Sequence, residues 1–297
     1  MPTLSIAPMT DSISLRTCTP SDASDCARIC FEAFKGINER HGFPPDFDAP
    51  ERPAGLMNML LHNPHVYGVV AEAGGRVVGS NFLWEADPVM GVGPITVEPS
   101  AQARSVGRKL MGAVLDRARG RNAASVRLVQ AAFNTRSMSL YTKLGFDVRE
   151  PLVCMNGNAV NDPAAVAGHR VRPMTQRDVD TCCDLCRRVH GHDRHSELGF
   201  ALSGDAARVV ERDGRVVGYT TDVGFFGHTV ALDNAGLVAL LAAAERFSGP
   251  GFLLPSRNGE VFRWCLSRGL KVVQPMSLMS TGLYNEPRGA FIPSILF

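Results

Sequence analysis

The 297-residue sequence has little excess charge and no long apolar run. Its 31 Lys and Arg residues against 29 Asp and Glu residues give a net charge of +2, which favours neither nucleic acid nor an anionic membrane as a partner. The longest apolar runs, such as GLVALLAAA at 236–244, are about half of the ~18 residues that span a bilayer. The sequence therefore gives no support for a membrane role.

Cysteine is also sparse, with eight residues in the chain, too few for a disulfide scaffold. The start, MPTLSIAPMTDS, has neither the basic region nor the apolar region of a secretory signal. We therefore expect a cytoplasmic protein with reduced thiols. With 45% hydrophobic and 20% charged residues the composition is that of a globular protein, and the length favours two domains.

Three short matches recur in the same order in both halves of the chain. They are Arg16 six residues before Asp22, repeated as Arg172 before Asp178; GRVVG at 75–79, repeated at 214–218; and Asn134 with Gly145, repeated as Asn258 with Gly269. Such repetition predicts one architecture used twice. Cys182 and Cys186 likewise repeat the spacing of Cys26 and Cys30, so we expect small core residues at these positions rather than a redox pair.

Strands and helices alternate in both copies. The elements predicted for the first copy are strand 13–19, helix 21–35 capped by Ser21, helix 51–62, strands 66–73, 76–86 and 89–98, helix 105–119, strand 125–132, helix 134–144 and strand 146–155. Gly93-Pro94 inside strand 89–98 predicts a bulge or an opened edge. In the second copy we expect the same order from 169 to 281, including strand 225–232 and helix 235–246. The predicted division is a domain at 1–156, a linker at 157–168 and a domain at 169–297.

The stretch VGPITVEPSAQARSVGRKLM at 92–111 is the most informative one. A strand passes through a loop of small residues into an amphipathic helix, and at such a junction free N–H groups and the helix dipole favour an anion. The small residues let a pyrophosphate approach the backbone. The alternative is a plain strand-to-helix turn, and the loop alone does not decide between them.

Two motifs resolve this ambiguity by resemblance. Gln102-Ala103-Arg104-Ser105-Val106-Gly107 resembles the Q/R-x-x-G-x-G/A acyl-CoA loop of the GNAT acyltransferase superfamily, with Ser105 in place of the first glycine. The second motif of that family is matched by Asn134, Ser137, Leu140-Tyr141, Lys143 and Gly145-Phe146. Residues 13–155 carry the resemblance, and the whole chain resembles a bacterial tandem-GNAT protein with a degenerate second copy. This implies an α/β fold with mixed sheets, in two similar domains whose central, mostly antiparallel sheets are flanked by helices.

The resemblance also implies roles for particular residues. Ile95, Thr96 and Val97 would pair with the pantetheine arm of acetyl-CoA. The loop from Gln102 to Gly107, including Ala103, Ser105 and Val106, would hold the pyrophosphate, with Arg104 and Arg108 as charge partners. Asn134 is expected either to cap its helix or to contact the cofactor, and both can hold. Tyr141 would donate a proton to the departing thiolate, although a tyrosine on an amphipathic helix is more commonly a core residue.

The general base stays unassigned, with Glu98, Glu85 and Asp87 as candidates. In the second copy, only Asp233-Asn234 links a strand to the next helix, and Cys265 stands where the first copy has Tyr141. We therefore expect this copy to bind no CoA and either to complete the substrate pocket or to bury one face of the first copy. The tract His190, His192, Asp193 and His195 has metal-ligating residue types, but such a run is more typical of a polar connection, and no metal is expected.

The predicted function is transfer of an acetyl group from acetyl-CoA, as cosubstrate, to a primary amine of a small molecule by direct attack, in a monomer or homodimer. One alternative is an enzyme that acetylates a peptide or protein amine. A second is a CoA-binding sensor or scaffold without turnover. A third is a nucleotide-binding α/β protein of another family, which would depend on the loop alone.

Overall fold

The computed structural model describes residues 12–47, 49–102 and 105–296. The helices are α1 (Ala23–His41), α2 (Arg52–His62), α3 (Val106–Gly120), α4 (Thr135–Lys143), α5 (Val179–His190), α6 (His195–Ala201), α7 (Asn234–Ala242) and α8 (Gly259–Ser267). The strands are β1 (Ser14–Thr17), β2 (Val66–Ala73), β3 (Arg76–Trp84), β4 (Val89–Val92), β5 (Thr96–Val97), β6 (Ser125–Ala131), β7 (Asp147–Asn156), β8 (His169–Pro173), β9 (Arg208–Arg212), β10 (Arg215–Thr220), β11 (Thr229–Ala231), β12 (Phe252–Pro255), β13 (Lys271–Gly282) and β14 (Ala290–Ile292).

The larger sheet has nine strands in the order β1-β2-β3-β4-β6-β13-β7-β12, with β5 paired to β3 beside this path. Two of these strands come from the second copy. β13 lies between β6 and β7 and pairs with both, for example through Met276 opposite Ala131 and opposite Leu152, and β12 extends the sheet beyond β7. The two copies therefore share one continuous sheet, although their sequences are separated by the predicted linker.

The smaller sheet has five strands in the order β14-β11-β10-β9-β8, and every neighbouring pair in it is antiparallel. All of its strands belong to the second copy. Helices flank both sheets, so the α/β architecture implied by the resemblance is present. The larger sheet is antiparallel too, apart from the pairing of β4 with β6.

The first repeated motif fixes the start of the first helix in each copy. The two terminal guanidinium nitrogens of Arg16 donate to Asp22 at 2.8 Å, and Asp22 also accepts from the backbone N–H of Thr19 at 2.7 Å. Arg172 and Asp178 repeat this geometry at 2.8 Å. The cap is therefore a box of Thr19 and Asp22, and the prediction of Ser21 as the cap was wrong because the chain first makes a short 3-10 turn from Pro20 to Asp22.

The other two motifs also have the same structural role in both copies. A Cβ on Gly79 would lie 2.8 Å from the carbonyl oxygen of Thr96, and one on Gly218 would lie 2.9 Å from that of Val230, so each glycine permits a close approach of the next strand. Asn134 caps α4 by accepting from the N–H of Ser137 at 3.2 Å. Asn258 caps α8 in the same way through Val261 at 3.4 Å.

Element boundaries differ from the prediction in the second copy above all. The expected strand 225–232 is reduced to β11, and the chain before it packs closely on neighbouring backbone and side chains at Gly224 and Gly227. α7 ends four residues earlier than predicted, where the chain turns back to form a bridge between Ser248 and Gly224. In the first copy α1 runs on to His41 and ends at Gly42, whose φ is +71°.

In the part of the chain that the structure describes, six clusters of buried side chains make up the cores on the faces of the sheets. The four cysteines predicted as core residues, Cys26, Cys30, Cys182 and Cys186, are all completely buried. Across residues 12–47, 49–102 and 105–296, none of the helices combines the length and the apolar character that crossing a membrane requires.

Candidate active site

The candidate site lies where the larger sheet opens. β4 and β6 pair in parallel through Gly91 and Arg127, after which the two strands diverge. The strand predicted at 89–98 is interrupted at Gly93-Pro94, and its second part, β5, pairs in the described chain with β3 alone. The edge of β5 that faces β6 is therefore available to a ligand backbone, as the opened-edge prediction expected.

A cavity of about 1330 Å³ begins at this opening and extends over the face of the sheet. Most residues predicted to hold the cofactor line it, namely Ile95, Thr96, Val97, Gln102, Ser105, Gly107, Arg108 and Asn134. Val106 does not line it, because its side chain is buried in the core between α3 and the sheet. Ala103 and Arg104 lie outside the described residues.

The described residues at the end of the loop after β5 have the charge and the backbone groups that suit an anion. Ser105 has a φ of +60° and immediately precedes α3, a helix of 15 residues whose N-terminal N–H groups point outward. Arg108 lies in the first turn of α3. Arg136, which the sequence analysis did not select, lies at the start of α4 and donates to the side chain of Gln102 at 3.1 Å. The two arginines and the helix dipole make this end of the cavity positive.

Tyr141 lies further along the cavity, on α4. Only 6% of the residue is exposed, and its ring packs against Phe146 with centroids 6.2 Å apart. Burial raises the pKa of the Tyr141 phenol well above its ordinary value, so it keeps its proton throughout the neutral range. Tyr141 is thus a core residue that also lines the cavity, and its role as a general acid stays a prediction.

The three carboxylates considered as a general base differ in position. Glu85 is held by Arg117 at 2.6 Å, which lowers the pKa of its carboxyl, and Glu98 is paired with Arg28 at 3.3 Å. Neither lines the cavity. Asp87 does line it, and burial raises the pKa of its carboxyl.

The second copy supplies the opposite wall of the cavity. Its lining residues there include Arg194, Ser196, Glu197, Phe200, Phe225 and Leu296. Arg194 is 6% exposed and forms an ion pair with Glu197, whose carboxylate also accepts from Nδ1 of His228 at 2.8 Å. The second copy thus contributes walls to the cavity, and its completion of a substrate pocket stays a prediction. The sequence analysis did not select Glu197, because its contact with His228 joins residues 31 positions apart in the chain.

The histidines of the tract at 190–195 contact other side chains of the second copy. His190 packs edge-on against Phe291 with ring centroids 5.0 Å apart, and Nδ1 of His195 lies 3.7 Å from the Sγ of Cys183. Burial lowers the pKa of His190 and His192, in the latter case to about 3, so both are neutral at physiological pH.

An opened sheet edge followed by an anion-binding loop defines the class of CoA-dependent acyltransferases that the motifs resemble. The model of the acetyltransferase (GNAT) family matches residues 31–146. The N-alpha-acetyltransferase RimI of Mycobacterium tuberculosis is 32% identical over 141 residues, which are 46% of this chain and 80% of that protein. The mycothiol acetyltransferase of Nocardia farcinica is 34% identical over 149 residues, 46% of each chain.

A similarity over both copies comes from a solved structure, a tandem GNAT protein from the clavulanic acid biosynthesis pathway. It superimposes with a TM-score of 0.56 at 14% identity, over 92% of this chain and all of that one. The chain belongs to the GNAT acetyltransferase family and has its tandem architecture. It is accordingly an acyltransferase of the GNAT type.

Proposed function

We propose that this protein transfers the acetyl group of acetyl-CoA to a primary amine of a small molecule. The observation that carries the proposal is the continuity of one cavity, from Ser105 and Arg108 at the anion-binding end, past Tyr141, to the wall formed by Arg194 and Phe200 of the second copy. Cofactor and acceptor can therefore meet inside it. A wall on the acceptor side favours a small molecule over the surface of a folded protein.

The cofactor would lie along the opened edge. Ile95 to Val97 would pair with the pantetheine arm, and Gln102, Ser105 and Gly107 would surround the pyrophosphate, with Arg108 and Arg136 as charge partners. Asn134 caps α4 and would also contact the arm. Bound there, acetyl-CoA supplies the acetyl thioester that the amine attacks directly.

Tyr141 would act as the general acid. When the carbon–sulfur bond breaks, the thiolate needs a proton, and a phenol that keeps its proton at neutral pH can donate one. The burial of Tyr141 excludes bulk water as a competing donor.

The test is the Tyr141→Phe variant with Tyr67→Phe, a tyrosine outside the cavity lining, as its matched control. We expect the loss of Tyr141 to lower kcat by about 100-fold or more, as is usual for removal of a general acid. Calorimetry should show one CoA per chain with unchanged affinity in both variants. A protein that binds CoA but has no turnover with any amine would instead be a sensor or scaffold.

A peptide or protein amine is the second candidate acceptor, favoured by the identity to an N-alpha-acetyltransferase. A panel of free amines and of short peptides with free N-termini distinguishes the two. Higher kcat/KM for peptides would favour the second candidate.

A further inference from the structure

Three carboxylates of the described chain line the cavity, and each comes from a different segment. They are Asp46 in the connection between α1 and α2, Asp87 between β3 and β4, and Glu197 on α6. An amine that is to attack a thioester must first lose the proton it carries as ammonium. The surroundings of the three groups decide which of them can accept that proton.

The negative charge of Glu197 is already balanced by its neighbours. It forms an ion pair with Arg194 and accepts a hydrogen bond from Nδ1 of His228 at 2.8 Å. These two groups overcome the effect of burial and hold the pKa of Glu197 at about 2. A carboxylate so stabilised is a poor base.

Asp46 lies at the wrong end of the cavity. Its carboxylate accepts from Nε2 of Gln274 at 3.0 Å. Gln274 precedes Met276 by two residues, and because β13 runs antiparallel to β6 and Met276 pairs with Ala131, Gln274 lies past the end of β6. Asn134 follows β6 at this end of the cavity, and the proposed phosphate loop lies there too. A carboxylate there is beside the cofactor arm and not beyond its thioester.

Asp87 lies at the opposite end, two residues before β4. Since β4 and β6 run together only through Gly91 and Arg127, an arm that enters from the phosphate end stops where they meet. Asp87 faces the cavity beyond that point. Asp87 accepts a hydrogen bond from the backbone N–H of Ser196 at 3.4 Å and a second one from the side chain of Ser196. Because a carboxylate has about four lone-pair sites, acceptor capacity is left for a ligand.

The titratable groups around Asp87 come from both copies. The charges of Arg194 and Glu197 act on Asp87 in opposite directions. The charge of Asp87 in turn acts to raise the pKa of Cys183 and of His228. His65 lines the same cavity. Burial outweighs the field of Arg194 and raises the pKa of Asp87. The Asp87 carboxylate is therefore a stronger base than that of an exposed aspartate.

We propose that Asp87 is the general base of the reaction and that the acceptor enters as a protonated aliphatic amine. This rests on the proposed function. Asp87 takes one proton from the ammonium, directly or through one water, and the freed lone pair attacks the acetyl carbon. The carbon–sulfur bond then breaks, and the sulfur takes the proton of Tyr141. The nitrogen loses a second proton, and this proton and the one held by Asp87 pass to solvent. Tyr141 takes one proton back from solvent, so one proton is released in each turnover.

The experiment compares the pH dependence of kcat/KM for the full chain and its Asp87→Asn variant with two probes. n-Butylamine is an ammonium at neutral pH and needs a base, whereas hydroxylamine is uncharged there and does not. We expect Asp87→Asn to lose about 100-fold in kcat/KM with n-butylamine and to lose the acidic limb of the profile. With hydroxylamine the loss should be only a few-fold.

Controls separate this role from others. Glu98→Gln, outside the cavity, should keep the wild-type profile, and Asp87→Asn should show the same thermal stabilisation by CoA as the wild type. The proposal is overturned if Asp87→Asn keeps the acidic limb, if both probes lose activity equally, or if the limb disappears instead in His65→Gln. A wild-type enzyme that binds CoA but acetylates neither probe contradicts the proposed function itself.

Discussion

Replacing Ser105 by glycine should stabilise the protein, because this serine has a backbone conformation that favours glycine. Its φ of +60° and ψ of +16° lie in the left-handed region, where a Cβ approaches the following carbonyl oxygen. The family loop has glycine at this position. The structure thus gives a physical reason for that glycine and for the cost of the serine found here.

The magnitude follows from two opposing terms. A left-handed L-residue costs roughly 1–2 kcal/mol, and glycine loses about 0.5–1 kcal/mol more than other residues in conformational entropy on folding. The net gain for Ser105→Gly is therefore about 0.5–1 kcal/mol. Ser105→Ala keeps the Cβ and the strain, so it should be less stable than the glycine variant by a similar amount.

Urea unfolding of Ser105→Gly, Ser105→Ala and Ser139→Gly tests this reasoning. Ser139 is exposed within α4, where glycine should lower the free energy of unfolding by about 0.5–1 kcal/mol, so the two glycine variants should change stability in opposite directions. If Ser105→Gly and Ser139→Gly are equally destabilising, the loop does not have the conformation described.

Two further predictions concern the pH dependence of stability. The hydrogen bond from Arg16 is the largest cause that lowers the pKa of Asp22 from 3.8 to about 2. Asp22→Asn should therefore lower the free energy of unfolding by about 2 kcal/mol at neutral pH. In the wild type this contribution should disappear as the pH falls from about 4 to 2. Glu39→Gln removes one partner of an exposed ion pair and is the control. The prediction for Asp22 would be refuted if the two variants had the same free energy of unfolding in urea. The pKa of His192 lies at about 3 when folded and near 6.5 when unfolded, so below pH 6.5 the unfolded chain binds the extra proton and the free energy of unfolding should fall by about 1.4 kcal/mol per pH unit for this residue. His192→Gln should flatten that slope between pH 6.5 and 5, and an unchanged slope would show that His192 is not held neutral.

The predicted elements of the first copy were largely correct because its signals are local. Gly74 and Gly75 turn the hairpin between β2 and β3, Asn134 caps α4, and a helix begins after the loop at Ser105. These features depend on residues a few positions apart. The prediction of Ser21 as a cap failed because a 3-10 turn moved the cap by two residues.

The sequence could not indicate the contacts that close the site. Asp87 was one of three equal candidates until the structure placed Glu85 and Glu98 in ion pairs outside the cavity. Asp46 and Arg136 were not candidates at all. Each of them depends on segments that are distant in the chain, and a local pattern contains no information on such neighbours.

The sequence by itself determined the repeated architecture and the resemblance of the loop before α3 and of α4 to the family's two motifs, since these follow from short motifs and from their order along the chain. Only the tertiary structure decided that β13 of the second copy enters the sheet of the first, and that Arg194 and Glu197 form a wall of its cavity. The physical reason is that strand pairing uses backbone groups common to every residue. Which strands become neighbours is therefore settled by the packing of the whole chain.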